Sequence, residues 1–262
     1  MLTASGARTA RFAAWVTALL AGRISPGAAV DGVVGEDAFH EVAHLPGRPE
    51  PLPLAEALEV ITTLGATGVR YAPAAPGRVG ALPGPSSFNR SAVAAGGAAV
   101  SLAGPPLGWL PTLTRHGPAG DAVTSVTWQT YAVSSHLWAP THLGSAARLL
   151  VAAFQEALDE LHRLDVARAR PGVRELVSAR RSAAASHVLP PGHPPSAADL
   201  LDRTVQLQQV VALAQEDDGG TVTGAERGRR AEVLRALEVQ LEEASAAAWN
   251  AGLPAPDPPR RG

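Results

Sequence analysis

The first hundred residues hold short helical patterns separated by glycine and proline. Residues 7–21 carry an apolar stripe at helical spacing, which predicts an amphipathic helix that ends at Gly22. Residues 28–34 and 54–64 are predicted as two further helices, and residues 86–95 as a fourth.

Runs of β-branched and aromatic residues lie between and after these helices. The clearest run covers residues 122–134, where Val, Thr, Trp and Tyr dominate. Shorter strands are expected at residues 67–71, 78–82, 98–102 and 108–114. Together these patterns predict a small, mainly antiparallel sheet with helices in the first part of the chain.

Beyond Pro140 the apolar period changes to that of a helix. Stripes predict helices over residues 149–161, 173–184 and 200–215, and Thr223 opens a last one as a capping box. The fold class is therefore α+β. We expect a mixed part over residues 1–140, a helical part over residues 141–250 and a disordered proline-rich tail over residues 251–262.

Composition removes several classes of protein. The chain has 262 residues, 46% of them hydrophobic, and a formal net charge of −2, which is typical of a folded protein. It has no Cys, so disulfides and thiol chemistry are excluded, and no Lys, so a Schiff-base or P-loop lysine is excluded. No window approaches the roughly 18 apolar residues of a membrane span, and we expect a cytoplasmic protein.

One segment and the overall composition carry a family resemblance. The segment 80–89 reads Gly-Ala-Leu-Pro-Gly-Pro-Ser-Ser-Phe-Asn, within a chain that lacks Lys and is rich in Ala, Arg and Pro. In both respects the chain resembles an uncharacterised family of high-GC Gram-positive bacterial proteins. The resemblance covers most of the chain and implies no activity.

The segment His40-Glu41-Val42-Ala43-His44 matches the zinc motif H-E-x-x-H. On a helix, this spacing places both imidazoles on one face to hold zinc, while the Glu acts as general base. Glu50 stands where the longer form of the motif has its third ligand. Two downstream acids are alternative third ligands, Glu56 and Glu59.

Other features of the sequence weigh against zinc hydrolysis. Pro46 follows His44 by two residues and would end a short, partly exposed helix at once. The longer motif also needs a Met-turn, and the sole Met is Met1. We therefore expect no metal or other cofactor and interpret His40 and His44 as structural or surface residues.

Arginines cluster in the second half of the chain. The weak candidates for an anion site are Arg170, Arg174, Arg180 and Arg181, with a second group at Arg227, Arg229 and Arg230. Solvated helix faces paired with acids are the favoured explanation of both groups. No recognised DNA-binding motif accompanies them, so a nucleic-acid partner is not expected.

These observations favour a non-enzymatic protein over an enzyme. Its long amphipathic helices, above all residues 226–249, predict a protein-interaction or scaffold role through the helical half. The partner is another protein or a second copy, and no membrane is involved. The alternative is a zinc-dependent hydrolase that uses the motif at residues 40–44.

Trp109 is a candidate surface aromatic.

Overall fold

A computed structural model describes residues 3–118, 120–135, 138–163, 188–216 and 224–254. The chain divides into two compact units. The α/β unit comprises residues 2–139, 188–193 and 249–262, and the helical unit comprises residues 140–187 and 194–248. Two short segments late in the sequence, residues 188–193 and 249–262, thus belong to the α/β unit.

The α/β unit is built on one six-stranded sheet. Its elements in chain order are α1 (Ala4–Leu20), α2 (Pro26–Val34), β1 (Phe39–Ala43), β2 (Leu52–Pro53), α3 (Leu54–Thr63), β3 (Gly68–Pro73), α4 (Ser86–Ala95), β4 (Gly97–Leu102), β5 (Leu107–His116) and β6 (Val123–Ala132). The strand order is β2-β1-β6-β5-β4-β3, and every neighbouring pair is antiparallel except β1 and β6. The predicted α+β fold with a mainly antiparallel sheet is confirmed.

Helix α1 is more deeply buried than its sequence pattern predicts. Eleven of its 17 residues are buried, because α1 packs on β3, β4 and β5 and is also covered by α2. Its start is fixed by Thr3, whose side chain accepts a hydrogen bond from the backbone N–H of Gly6. Small residues at many of its positions let the helix lie close to the sheet on one side and to α2 on the other.

Aromatic rings form the core between α1 and the sheet. Phe12 lies 4.3 Å from the ring of Trp128 and 5.9 Å from that of Trp109, measured between centroids. Trp109 is 1% exposed, so this candidate surface aromatic is a core residue. Its strand, β5, lies between β4 and β6 and is in contact with α1 and α4. The local sequence does not reveal these neighbours.

The opposite face of the sheet is covered by α4. The buried residues on this face form one apolar cluster: Ala72, Ala74, Leu82, Phe88, Ala92, Ala98, Val100, Leu110 and Val133. Strand alternation separates this cluster from the aromatic core on the α1 side.

Side chains cap the outer edge of β3, the last strand in the sheet order. The hydroxyl of Thr17 donates to the carbonyl of Val69 at 2.8 Å and accepts from its N–H at 2.9 Å. The amide of Asn250 does the same two residues further along, with 2.8 and 2.9 Å bonds to Tyr71. These bonds satisfy backbone groups that would otherwise be free to pair with another strand.

The helical unit contains long helices, and the first of them has a narrow buried stripe. Its described elements are α5 (Leu143–Arg163), α6 (Pro195–Glu216) and α7 (Gly224–Trp249), the last ending at the border of the α/β unit. Only Ala146, Leu150 and Ala157 are buried on α5. In the part of the chain that the structure describes, no helix has the length and apolarity to cross a membrane.

Two local predictions differ from the structure, and two fall outside it. Residues 78–82 are not a strand, since only an isolated bridge joins Ala75 to Arg78, and no strand lies beside them to extend it. The predicted tail begins with an ordered 3-10 helix, Asn250–Gly252. The predicted helix at residues 173–184 and the tail beyond residue 254 lie outside the described residues.

Candidate functional site

The zinc-like motif lies on a strand and not on the predicted short helix. Residues Phe39–Ala43 form β1, which pairs in parallel with β6. The alternation of a strand therefore places His40 and Val42 on one face and Glu41 on the other. The tertiary pairing with β6 overrides the helical interpretation of the local pattern.

His40 is buried and both of its ring nitrogens have partners. Nε2 lies 3.0 Å from Oδ2 of Asp37, and Nδ1 lies 3.2 Å from the indole N–H of Trp128. Because the indole can only donate, Nδ1 accepts and the proton is assigned to Nε2, which donates to the carboxylate. Neither nitrogen is left for a metal ion.

Asp37 is the centre of a buried charge network. Arg8 binds both carboxylate oxygens, with Nε 2.8 Å from Oδ2 and Nη2 2.5 Å from Oδ1, and Arg11 approaches Oδ2 at 3.4 Å. Burial alone would raise the pKa of Asp37. Hydrogen bonds from Arg8 and His40 and the positive charge of Arg8 outweigh burial and lower this pKa below its usual value.

The same surroundings keep His40 neutral. Burial lowers the pKa of His40 below its ordinary value, although the hydrogen bond and charge of Asp37 oppose this effect. The indole donor acts in the same direction as burial, because a protonated Nδ1 would point its hydrogen at the N–H of Trp128. The neutral imidazole thus bridges a carboxylate and an indole.

The other residues of the predicted zinc site do not join His40. Glu41 accepts a 2.8 Å hydrogen bond from the hydroxyl of Thr127 on the opposite face of the sheet. His44 lies exposed after the strand, with a φ of 60°. Residues four apart on a strand are separated by about 13 Å, against about 6 Å on a helix.

The three candidate third ligands are also dispersed. Glu50 is exposed in the turn before β2, and Glu56 and Glu59 are exposed on α3. Among the residues that the structure describes, no group of three or more His, Asp or Glu side chains could hold a metal ion. The helical zinc arrangement implied by the motif is not formed by these residues.

The arginine candidates divide into two sets. Arg170, Arg174, Arg180 and Arg181 lie outside the described residues. In the second group, Arg229 pairs with Glu160 of α5 at 2.9 Å and Arg230 donates to the carbonyl of Ala214 at 2.5 Å. These two arginines connect α7 to its neighbours in the helical unit.

Sequence reasoning missed Asp37 and its arginines. Arg8 and Arg11 are three residues apart on a helix, so they share one face, and this spacing was the available signal. Their acidic partner lies 29 and 26 residues away, in the turn before β1. The network therefore ties α1, this turn, β1 and β6 together, and its described geometry supports a structural role.

Two family models cover most of the chain. Residues 9–143 match the model described as "Rv1486c-like protein, N-terminal domain", and residues 144–246 match "Rv1486c-like protein, C-terminal domain". No curated protein and no solved structure was found to match the chain. The family description names no activity, and it is consistent with the resemblance to proteins of high-GC bacteria.

Proposed function

The chain belongs to the Rv1486c-like protein family, and we propose that it acts as a non-enzymatic scaffold that self-associates through its helical unit. The partner is a second copy of this chain. The observation that carries the proposal is the exposed face of α5, which combines apolar side chains with a self-complementary arrangement of charges.

The outer face of α5 is defined by exposed residues at alternating spacings of three and four. Val151 is 41% exposed and Leu158 is 39% exposed. The complete face is Arg148, Val151, Gln155, Leu158 and His162. This spacing places all five on one stripe of the helix, as in the seam of a coiled coil.

The charges on this face favour an antiparallel pair of α5 helices. Arg148 lies near the beginning of α5, and the exposed Asp159 lies eleven residues later, about 16 Å along the helix and close to the same face. When two copies run in opposite directions, each Arg148 faces the other copy's Asp159. Val151 of each copy then faces Leu158 of the other, and a parallel pair would lose these charge contacts.

The contact area limits the strength of this association. Two reciprocal pairs of medium-sized apolar side chains, with exposed ion pairs at the ends, correspond to a weak interface. We expect a dissociation constant on the order of 10 µM. The dimer is therefore expected to be concentration-dependent.

Sedimentation equilibrium of the full chain tests the proposal. Wild type is expected to dimerise, and the double variant Val151→Glu/Leu158→Glu to remain monomeric, since it buries four carboxylates in the proposed interface. Val79→Glu is the matched control, because Val79 is a similarly exposed apolar residue in the α/β unit. It is expected to dimerise like wild type.

Charge exchange gives a second, independent measurement. Arg148→Asp and Asp159→Arg are each expected to weaken the dimer about three- to tenfold, and the combined exchange is expected to restore it. A wild-type monomer at concentrations well above 10 µM, or a dimer that these variants leave unchanged, would overturn the proposal. A monomer that binds an unrelated protein would overturn self-association as well.

A further inference from the structure

Arg70 is a charged residue in the interior of the α/β unit. It lies on β3, and strand alternation places it on the same face as Ala72, which belongs to the cluster under α4. Arg70 is 1% exposed. A side chain of this type is almost never fully buried unless an opposite charge accompanies it.

The surroundings of Arg70 are neutral in the part of the chain that the structure describes. Its Nη2 donates to the carbonyl of Ala81 at 2.8 Å. Its guanidinium carbon lies over the indole ring of Trp138, 5.2 Å from the ring centroid. The remaining terminal nitrogen, Nη1, is buried and has no hydrogen-bond partner among the described residues.

The electrostatic state of Arg70 follows from this environment. Burial lowers the pKa of Arg70 to about 10, and no described charge shifts it further. The side chain therefore remains positively charged at neutral pH. A buried charge with an unsatisfied donor is costly, and an anion that accepts from Nη1 would remove much of that cost.

We propose that Arg70 anchors a binding site for an oxyanion, namely the carboxylate or phosphate group of a small ligand. The guanidinium carbon lies over the indole of Trp138, and the hydrogens of Nη1 lie in the plane of the guanidinium, where an oxygen atom can accept from them. Ala81 and Trp138, the two residues that contact the guanidinium, are each half-buried, so the immediate surroundings of Arg70 are partly accessible to solvent.

The bond expected at this site is charge-assisted. Oxygen atoms of a carboxylate or phosphate accept in-plane N–H bonds from guanidinium at about 2.8 Å, and this geometry favours an oxyanion over a spherical halide. The proposal is independent of the scaffold function, because all of its residues belong to the α/β unit. If the chain proved not to dimerise, the proposal of an oxyanion site would be unaffected.

Thermal unfolding of the full chain at constant ionic strength tests this site. Inorganic phosphate and acetate are titrated separately against chloride, which distinguishes a phosphate site from a carboxylate site. Wild type is expected to gain about 2–4 °C in Tm at saturation with one of them. Arg70→Met is expected to show no gain, and Arg115→Met, which removes an exposed arginine, to respond like wild type.

Calorimetric titration of wild type with the same anion provides a measurement that does not depend on a variant folding. A saturable signal for one anion, which chloride does not reproduce, supports the site. The absence of saturable binding of both anions would overturn the proposal. Anion stabilisation that Arg70→Met retains in full would also overturn it, because the anion would then bind elsewhere.

Discussion

Helix α1 of the α/β unit and helix α5 of the helical unit bury very different shares of their residues. Eleven of the 17 residues of α1 are buried, compared with three of the 21 residues of α5. Both helices are rich in Ala and Leu, so composition does not account for the difference. A helix enclosed between a sheet and other elements contributes to stability over much of its surface, whereas ten of the 21 residues of α5 are exposed.

The two units also differ in how they place charges. Asp37 is buried and held by two arginines whose side chains are 21% and 26% exposed. The ion pair between Arg229 and Glu160 in the helical unit involves an arginine that is 59% exposed. Exposed pairs contribute about 0–1 kcal/mol, so we expect the network around Asp37 to matter far more for stability.

The largest difference in the free energy of unfolding between substitutions in the two units is expected for the aromatic core. Phe12→Ala removes the ring that packs on both Trp109 and Trp128, and it should lower the free energy of unfolding by about 3–5 kcal/mol. Leu149→Ala, at an exposed position of α5 outside the proposed interface, should change it by less than about 0.5 kcal/mol. Denaturant unfolding followed by tryptophan fluorescence measures both. A loss below about 1 kcal/mol for Phe12→Ala would contradict the described core.

The charge network provides the next largest effect. Asp37→Ala leaves Arg8, Arg11 and buried His40 without their acceptor, and a loss of about 2–4 kcal/mol is expected, reduced by the partial exposure of the arginines. Arg229→Ala, which breaks the exposed pair of the helical unit, should leave the free energy of unfolding almost unchanged. Equal losses for the two variants in urea unfolding would remove the distinction between the units.

The capped edge of β3 should give an intermediate effect. Thr17→Val keeps the shape of the side chain but leaves the N–H and carbonyl of Val69 without partners, and we expect a loss of about 1–3 kcal/mol. Thr62→Val on the exposed surface of α3 removes a comparable hydroxyl and should cost less than about 0.5 kcal/mol. Hydrogen exchange should locate the change at residues 68–73, and protection there as in wild type would refute this role.

The smallest expected effect is the pH dependence of His40. Its lowered pKa means that the unfolded chain binds a proton more readily, so this contribution to stability is present above pH 6.5 and is lost as the pH falls below it. The free energy of unfolding cannot change by more than about 1.4 kcal/mol per pH unit when one proton is bound. His40→Gln should flatten the stability curve below pH 6.5, while His44→Gln, in an exposed turn, should not. A curve unchanged by His40→Gln would show that His40 does not control it.

The lowered pKa of Asp37 adds a second acid-sensitive step. Because the folded carboxylate holds its charge more strongly, its contribution is present above the ordinary value of 3.8 and is lost as the pH falls further. In wild type, the two steps should therefore follow one another as the pH is lowered.

Much of the secondary structure could be predicted from local patterns, and the site could not. The predicted helix at residues 54–64 is observed as Leu54–Thr63, and the strand at residues 122–134 as Val123–Ala132. The motif at residues 40–44 was assigned to the wrong element, because its residues form a strand only through pairing with β6, more than 80 residues away. Local spacing carries no information about such a partner.

Helix boundaries, the change from strands to helices near residue 140 and the exclusion of thiol and lysine chemistry follow from the residues alone, since capping, periodicity and composition are local properties. The side of the sheet on which His40 and Glu41 lie, the enclosure of Arg70 and the pairing of Asp37 with α1 were decided by the tertiary structure. Each depends on which distant segment approaches, and that approach sets the burial and the charge that a side chain experiences.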